Sequence, residues 1–378
     1  MRVLVAFDKF KHAMTAPYAC ELAADTLRRC HPDWVIDPCP LTDGGEGFGA
    51  ILGGAAGARR ACLPVEDPVG ATILADYYRV SASDVLARLH GVLRLDRPRA
   101  VALVEMASAS GLELLTSNQR DPWRTSSFGT GLLLAAAARD TSAVLLGIGG
   151  SATNDLGLGA LAALGFKFFT VDGEAIARPV PASWERIVRI EAADALRLPP
   201  LFIACDVSNP LLGPTGATAT FGPQKGLPAA EVARLDAHVE RMAALLSAAC
   251  GRPLAIAATP GAGAAGGLGF GFMMAYGAQL VSGFDVVSRG LDLPARLAAA
   301  DLLLTGEGRF DATSLDGKGP GRLLAEARRL GKPAHVFAGS LGVPAGPGFH
   351  AITPAGLPLA EGMLRTAEFL DAAIARAI

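Results

Sequence analysis

The residues best equipped for chemistry stand in short loops that combine glycine with charge. Asp8-Lys9-Phe10-Lys11 ends the apolar run 3–6 and places two lysines beside an acid. Asp43-Gly44-Gly45-Glu46-Gly47 sets two acids on a glycine turn, able to face a cation or accept a proton from a hydroxyl. Gly147-Ile148-Gly149-Gly150-Ser151-Ala152-Thr153-Asn154-Asp155 follows the apolar run 143–146 and opens a helical pattern. A strand, a glycine loop and a helix start aim backbone N–H groups at an anion, and Ser151, Thr153 and Asn154 add side-chain donors. It is not a Walker A loop, because G-x-x-x-x-G-K-[ST] is absent.

Three further loops carry charge. Asp206 follows the buried run 201–204, a common position for a base or a metal ligand, or for an Asx-turn before a proline. Lys225 sits in Phe221-Gly222-Pro223-Gln224-Lys225-Gly226. Thr305-Gly306-Glu307-Gly308-Arg309-Phe310-Asp311 leads on to Asp316-Gly317-Lys318-Gly319, which reads as a mobile charged lid. Four of the chain's six lysines (Lys9, Lys11, Lys225 and Lys318) fall in these loops, although arginine dominates the basic residues. Lysine is a compact point charge suited to phosphate. A literal G-x-G-x-x-G occupies residues 261–266, with Asp285 further on as a ribose-binding candidate. The motif is weak alone and fits close helix packing equally well.

These loops need a scaffold, and the chain supplies one. Its 378 residues predict two or three domains and a core large enough to stand without disulfides. Net charge is −2 and no long run of like charge occurs, which argues against a nucleic-acid surface or a polybasic anchor while leaving room for a local basic pocket. Six cysteines form no CxxC pair and read as reduced, and the histidines show no metal-ligand spacing. The N-terminus reads as a strand from residue 2 rather than a signal peptide, and with the reduced cysteines a cytoplasmic location is expected. Residues 253–284 lack charge, but Pro260 and clustered glycines point to a buried strand, loop and helix, not a membrane span. Glycine supplies 45 residues, about 12% against the usual ~7%. It gathers in the loops just named, where backbone must approach something closely.

Apolar runs of strand length alternate with helical patterns, which is α/β organisation with parallel sheets. Strands are expected at 3–6, 34–39, 301–305, 335–338 and 351–353. Helices are expected at 16–30, with Thr15 as N-cap, and at 45–52, 293–300, 319–330 and 364–377. The two chain ends thus make a flavodoxin-like parallel-sheet domain of order 2-1-3-4-5, residues 1–64 plus 286–378. Residues 65–285 form a second α/β domain inserted into it. The topological switch point falls at the loops 8–11 and 306–311, where open sheets bind ligands. The active site is expected in the cleft between the domains.

Taken together and in order, these motifs resemble the type-1 glycerate kinase family. The resemblance also rests on Leu41-Thr42-Asp43-Gly44-Gly45-Glu46-Gly47, on Glu105-Met106-Ala107-Ser108-Ala109-Ser110-Gly111, on 126–131 and on 204–214, and it extends from residue 3 to about 339. Within the family the first loop often begins with proline and ends with glycine, where this chain has Phe7 and His12. Phe310 stands for the usual isoleucine and Gly319 for alanine.

The resemblance implies ATP and Mg²⁺, D-glycerate as acceptor, and phosphoglycerate as product, with 2-phosphoglycerate favoured over 3-phosphoglycerate. The expected partners are the small acid and the nucleotide, with no nucleic acid or membrane, and a homodimer is left open. Phosphoryl transfer needs positioning, charge neutralisation and a metal more than covalent help. Gly149, Gly150, Ser151, Thr153 and Asn154, with Lys11 or Lys318, are assigned to phosphate. Asp206 and Asp43 are candidates for Mg²⁺ or for the base. Arg309, Lys225 or Lys9 would meet the glycerate carboxylate, with Asp8 and Glu307 completing the charge balance. The alternatives are an NAD-dependent oxidoreductase built on residues 261–266 and a two-domain small-acid binding protein.

Overall fold

The computed structural model describes residues 1–81, 83–93, 100–192, 195–315, 319–344 and 346–378, with the side chain of Asp84 left aside. Among the described residues, thirteen strands follow one another along the chain. They are β1 (Arg2–Phe7), β2 (Val35–Pro38), β3 (Arg59–Glu66), β4 (Thr72–Ser81), β5 (Ala100–Glu105), β6 (Ala143–Gly147) and β7 (Lys167–Phe169). Then come β8 (Arg189–Glu191), β9 (Leu201–Ala204), β10 (Gln279–Val281), β11 (Leu302–Phe310), β12 (Ala334–Leu341) and β13 (Phe349–Ala351). They divide between two compact units, Met1–Asp43 with Phe284–Ile378, and Gly44–Gly283.

The first unit holds a five-stranded sheet of order β2-β1-β11-β12-β13, parallel throughout. Numbered within the unit this is 2-1-3-4-5, the expected flavodoxin-like order. Continuous apolar runs suit strands buried on both faces. Val3, Val5, Phe7, Leu304 and Phe337 pack with the helices Ala16–Cys30 and Thr366–Ala377. Leu324 of the helix Gly319–Arg329 packs with Phe310, Val336 and Ala338. Thr15 caps the helix Ala16–Cys30, its hydroxyl accepting from Tyr18 N at 3.4 Å. The third strand runs longer than its apolar stretch of 301–305. β11 continues through Glu307 and Arg309, held by pairing of Arg309 with Ser340 and Phe310 with Leu341. Two glycines permit this close approach. A Cβ at Gly306 would lie 1.8 Å from the Phe337 carbonyl oxygen, and one at Gly339 2.5 Å from that of Gly308. The expected lid at 306–310 is therefore sheet, not a loop.

The second unit carries a six-stranded sheet of order β10-β9-β6-β5-β4-β3 and a separate β7-β8 pair. β10, β9, β6 and β5 are parallel, and β4 and β3 continue the sheet antiparallel. Residues 44–64, expected with the flavodoxin-like domain, belong here instead. The helix Phe48–Ala55 is drawn in by Tyr78 of β4, whose ring occupies the places a Cβ would take at Gly49 and Gly53, at 2.9 and 2.8 Å. β3 is an edge strand, which explains how it tolerates Pro64. Trp184, Phe168, Phe270 and Phe272 are fully buried in the core of this unit.

The uncharged stretch 253–284 contains no strand before its glycines. Residues Leu254–Ala258 form a 3₁₀ turn, and the helix Ala264–Tyr276 begins with Ala265, Gly266 and Gly267 in left-handed conformation. A Cβ at Gly263 would meet the Pro210 carbonyl oxygen at 2.2 Å, and one at Gly266 the Thr153 carbonyl oxygen at 2.1 Å. This G-x-G-x-x-G is a packing device. Among the described residues no helix is long and apolar enough to cross a membrane.

Candidate active site

In the first unit the switch point lies between β1 and β11, and the charged loops gather at its carboxyl edge. Asp8 follows β1, Glu307 stands on β11, and Asp43 follows β2. All three line a cavity of about 1250 Å³ together with Lys9, Lys11 and Arg309. Asp8 and Glu307 are each 7% exposed. Lys9 N donates to Asp8 Oδ1 at 2.7 Å. Burial, the negative charge of Asp43 and, more weakly, that of Glu307 push the Asp8 carboxyl up to about 7, against the pull of Lys9. A buried acid flanked by like charges resists ionisation, and near 7 it can exchange a proton at physiological pH. The cations of the cavity are more exposed. Arg309 pairs with Asp311 at 3.2 Å, which leaves its side chain largely in solvent.

The loop holding these lysines is a tight reversal. Phe10 and Met14 exchange both backbone hydrogen bonds at 2.8 Å. His12 at its tip has φ of 62°. This is the position where the resemblance expects glycine, and the backbone supplies the reason: a left-handed residue costs a non-glycine about 1–2 kcal/mol.

In the second unit the carboxyl ends of β5, β6 and β9 carry the other candidates. The loop 147–155 follows β6 and lies against residues 44–47, with Gly149 N donating to Gly44 O at 3.0 Å. Glu105, at the end of β5, accepts from Gly47 N at 3.0 Å and Gly49 N at 3.3 Å. A Cβ at Gly149 would sit 2.5 Å from Gly45 Cα, and Gly150 has φ of +72°. The glycines are therefore demanded by the loop's own shape.

Of the five loop residues assigned to phosphate alongside Lys11 or Lys318, Gly149, Gly150 and Ser151 are partly exposed, whereas Thr153 and Asn154 are fully buried. Asn154 Nδ2 instead donates to Thr218 Oγ1 at 3.2 Å and ties the loop to the helix Ala217–Phe221. Lys225, assigned to the glycerate carboxylate, is also buried. Its ammonium donates to Ser151 Oγ at 2.9 Å and to Thr153 O at 2.6 Å. Burial drags that ammonium down to about 7, partly opposed by Asp155. A lysine so enclosed shapes the loop rather than meeting a substrate. Asp206, by contrast, is exposed at the end of β9 and accepts from Ser282 Oγ at 2.8 Å. Lys318 lies outside the described residues.

Two positioning acids escape the sequence reading. Glu105 is signalled by a charge closing the apolar run of β5. Asp155 is the last residue of the glycine motif. It is fully buried and accepts from Ser127 N, Ser127 Oγ, Gly157 N and Gly159 N at 2.7–3.2 Å. Burial pushes its carboxyl upward and these four bonds oppose the shift.

Among the described residues no three His, Cys, Asp or Glu side chains form a metal-binding group. Mg²⁺ at a phosphoryl-transfer site needs no such cage, because one or two carboxylates, phosphate oxygens and water complete its shell. An exposed Asp206 carboxylate oriented by Ser282 fits that requirement. The dinucleotide reading fares worse. Its glycines are consumed by packing, no strand precedes them, and Asp285 is paired with Arg322 at 2.8 Å.

Known proteins agree with the motifs. The model of the glycerate kinase family matches residues 3–377. Glycerate kinase of Halalkalibacterium halodurans is 34% identical over 98% of this chain and 93% of its own length. Glycerate 2-kinase of Escherichia coli is 34% identical over 90% of this chain and 86% of its own. A crystal structure from Salmonella typhimurium, provisionally assigned as glycerate kinase 2, has a TM-score of 0.76 at 33% identity, covering 100% of this chain and 96% of that one. Similarity of this extent, with the same α/β fold, makes the chain an enzyme of the glycerate kinase family.

Proposed function

We propose that this enzyme transfers the γ-phosphoryl group of ATP to a hydroxyl of D-glycerate, with 2-phosphoglycerate as the main product. The observation that carries the reading is the first unit's cavity, where a buried carboxyl, pushed up by burial and like charge, stands beside two lysines and an arginine. A small hydroxy acid needs that combination: a cation for its carboxylate and an acceptor for the proton leaving its hydroxyl. Asp8 is the base in this reading, since a base works best with a pKa near the operating pH. In its ionised form it accepts the hydroxyl proton as the oxygen attacks phosphorus. Lys11 and Arg309 meet the carboxylate, and Lys9 offsets the negative charge of Asp8 before it takes the proton.

In the second unit the loop face at Gly149, Gly150 and Ser151 receives the nucleotide's phosphates, with the Gly149 N–H already given to Gly44 O. Mg²⁺ would be held by Asp206 and phosphate oxygens, and when bound it neutralises phosphate charge. The preference for the 2-position is supported by the Escherichia coli relative, a glycerate 2-kinase.

A coupled assay for ADP tests the reaction, and release stimulated by D-glycerate is expected. Release unchanged by D-glycerate sinks the proposal. Phosphorus NMR of the product then separates 2- from 3-phosphoglycerate.

A further inference from the structure

Lys225 is the least exposed cation of the molecule's candidate residues, at 1%, and its surroundings are built to keep it so. Its backbone sits in a 3₁₀ turn, Pro223–Lys225, with a glycine on either side. Gly226 has φ of +96°, and a Cβ there would lie 2.2 Å from the Arg120 carbonyl oxygen. A Cβ at Gly222 would lie 2.4 Å from the Thr218 carbonyl oxygen. The turn is thus fixed against two neighbouring segments, which sets where the lysine side chain starts.

The side chain ends beneath the glycine loop. Two of its three protons go to Ser151 Oγ and Thr153 O, on either side of Ala152. Thr218, from the helix just before the turn, takes hold of Asn154 in the same loop. The segment 217–225 therefore grips residues 151–154 from behind at three points, while Gly149, Gly150 and Ser151 remain partly exposed in front. A fully buried lysine is costly, and a neutral side chain could fill the space at lower cost. What a lysine adds in its protonated form is a positive charge directed at the underside of a loop.

We propose that Lys225 is a positioning residue for nucleotide phosphate. It acts through Ser151 and the Thr153 carbonyl, fixing the curvature of the loop and making its face attractive to anions without touching the substrate. The proposal rests on the assignment of Gly149, Gly150 and Ser151 to ATP phosphates. It adds a division of labour to that reading: the loop's backbone makes the contact, and the charge comes from behind.

The test uses the intact enzyme and the variants Lys225→Met and Lys225→Gln. The KM for ATP and the Kd for ADP, by calorimetry, are expected to rise at least tenfold, while the KM for D-glycerate changes less than twofold. The Gln variant keeps a hydrogen-bond donor and loses the charge, so it should still fold where Met does not. Equal losses toward both substrates, or an unchanged Kd for ADP in a folded variant, overturn the proposal. Amide hydrogen exchange of the wild-type enzyme with ADP tests the underlying assignment separately. Slowed exchange across 147–155 is required, and its absence removes the phosphate loop itself, whatever the variants do.

Discussion

Both sheets offer candidate residues at a carboxyl edge, and the two edges solve different problems. The first unit presents side chains: Asp8, Glu307, Lys9, Lys11 and Arg309 project into one cavity. The second presents backbone, with Gly149 and Gly150 in front and its lysine buried behind. Charged side chains can tell a carboxylate from a hydroxyl, because each group can be matched by a partner of the right sign. Backbone N–H groups read any phosphate alike and hold it rigidly. The comparison teaches that lysine plays opposite parts on the two edges. Lys11 is exposed, free to meet a ligand, whereas Lys225 supports a surface it never reaches.

The largest expected effect lies on the side-chain edge. Asp8→Asn should lower kcat by roughly 10²–10⁴-fold, the usual contribution of a general base. In the wild-type enzyme kcat/KM should rise with pH through about 7 as Asp8 ionises, and the variant should lose that limb. The same substitution should raise thermal stability at pH 8. The folded pKa of Asp8 lies above its unfolded value, so the folded state holds a proton the unfolded chain has released. Wild-type stability from this residue therefore falls as pH climbs from about 4 to 7. Asparagine cannot ionise, and the difference in Tm should fade toward pH 4. A variant equally active, or no more stable at pH 8 than at pH 4, removes Asp8 from the role of base.

The backbone edge should respond next. Gly150→Ala places a Cβ 2.1 Å from Glu46 Oε1 at a φ of +72°. The side chain can move but the left-handed conformation still costs about 1–2 kcal/mol. A KM for ATP raised about tenfold, with that for D-glycerate unaltered, would sharpen the contrast between the edges. Arg309→Met probes the reverse selectivity, and the KM for D-glycerate should rise by roughly tenfold, since bonds to charged groups contribute about 1.5–3 kcal/mol and this one is solvent-exposed. If both variants shift both KM values equally, the division between the edges fails.

The smallest effect is structural. His12→Gly should stabilise the enzyme by up to about 1 kcal/mol in chemical denaturation, because relief of the left-handed strain outweighs the greater freedom glycine gives the unfolded chain.

The parallel sheet of the first unit was readable because its strands are uninterrupted apolar runs and its turns carry glycine and charge. Residues 44–64 were misplaced because the helix Phe48–Ala55 is apolar enough to suit either sheet, and the fit of Gly49 and Gly53 to Tyr78 decides the matter. Residues 306–310 read as a loop for a similar reason. Two glycines and two charges look mobile along the chain, yet pairing with β12 makes them strand. The G-x-G-x-x-G at 261–266 illustrates how a local pattern misleads when its glycines serve packing, Gly263 against Pro210 and Gly266 against Thr153.

By itself the sequence determined the α/β class, the strand order of the first sheet, the family, and which loops carry charge. Periodicity and motif spacing are local properties, and they survive without coordinates. Tertiary structure alone decided which of those charges face a cavity and which are sealed inside. Asp8 is pushed up to about 7 by its own burial and by the like charge of Asp43 and Glu307, brought to it from distant parts of the chain. Lys225, a glycine-flanked lysine that reads as surface, lies under a loop more than seventy residues away in sequence. Burial and the neighbours that come with it are set by long-range packing, and they turn a charged residue into a base, a ligand or a support.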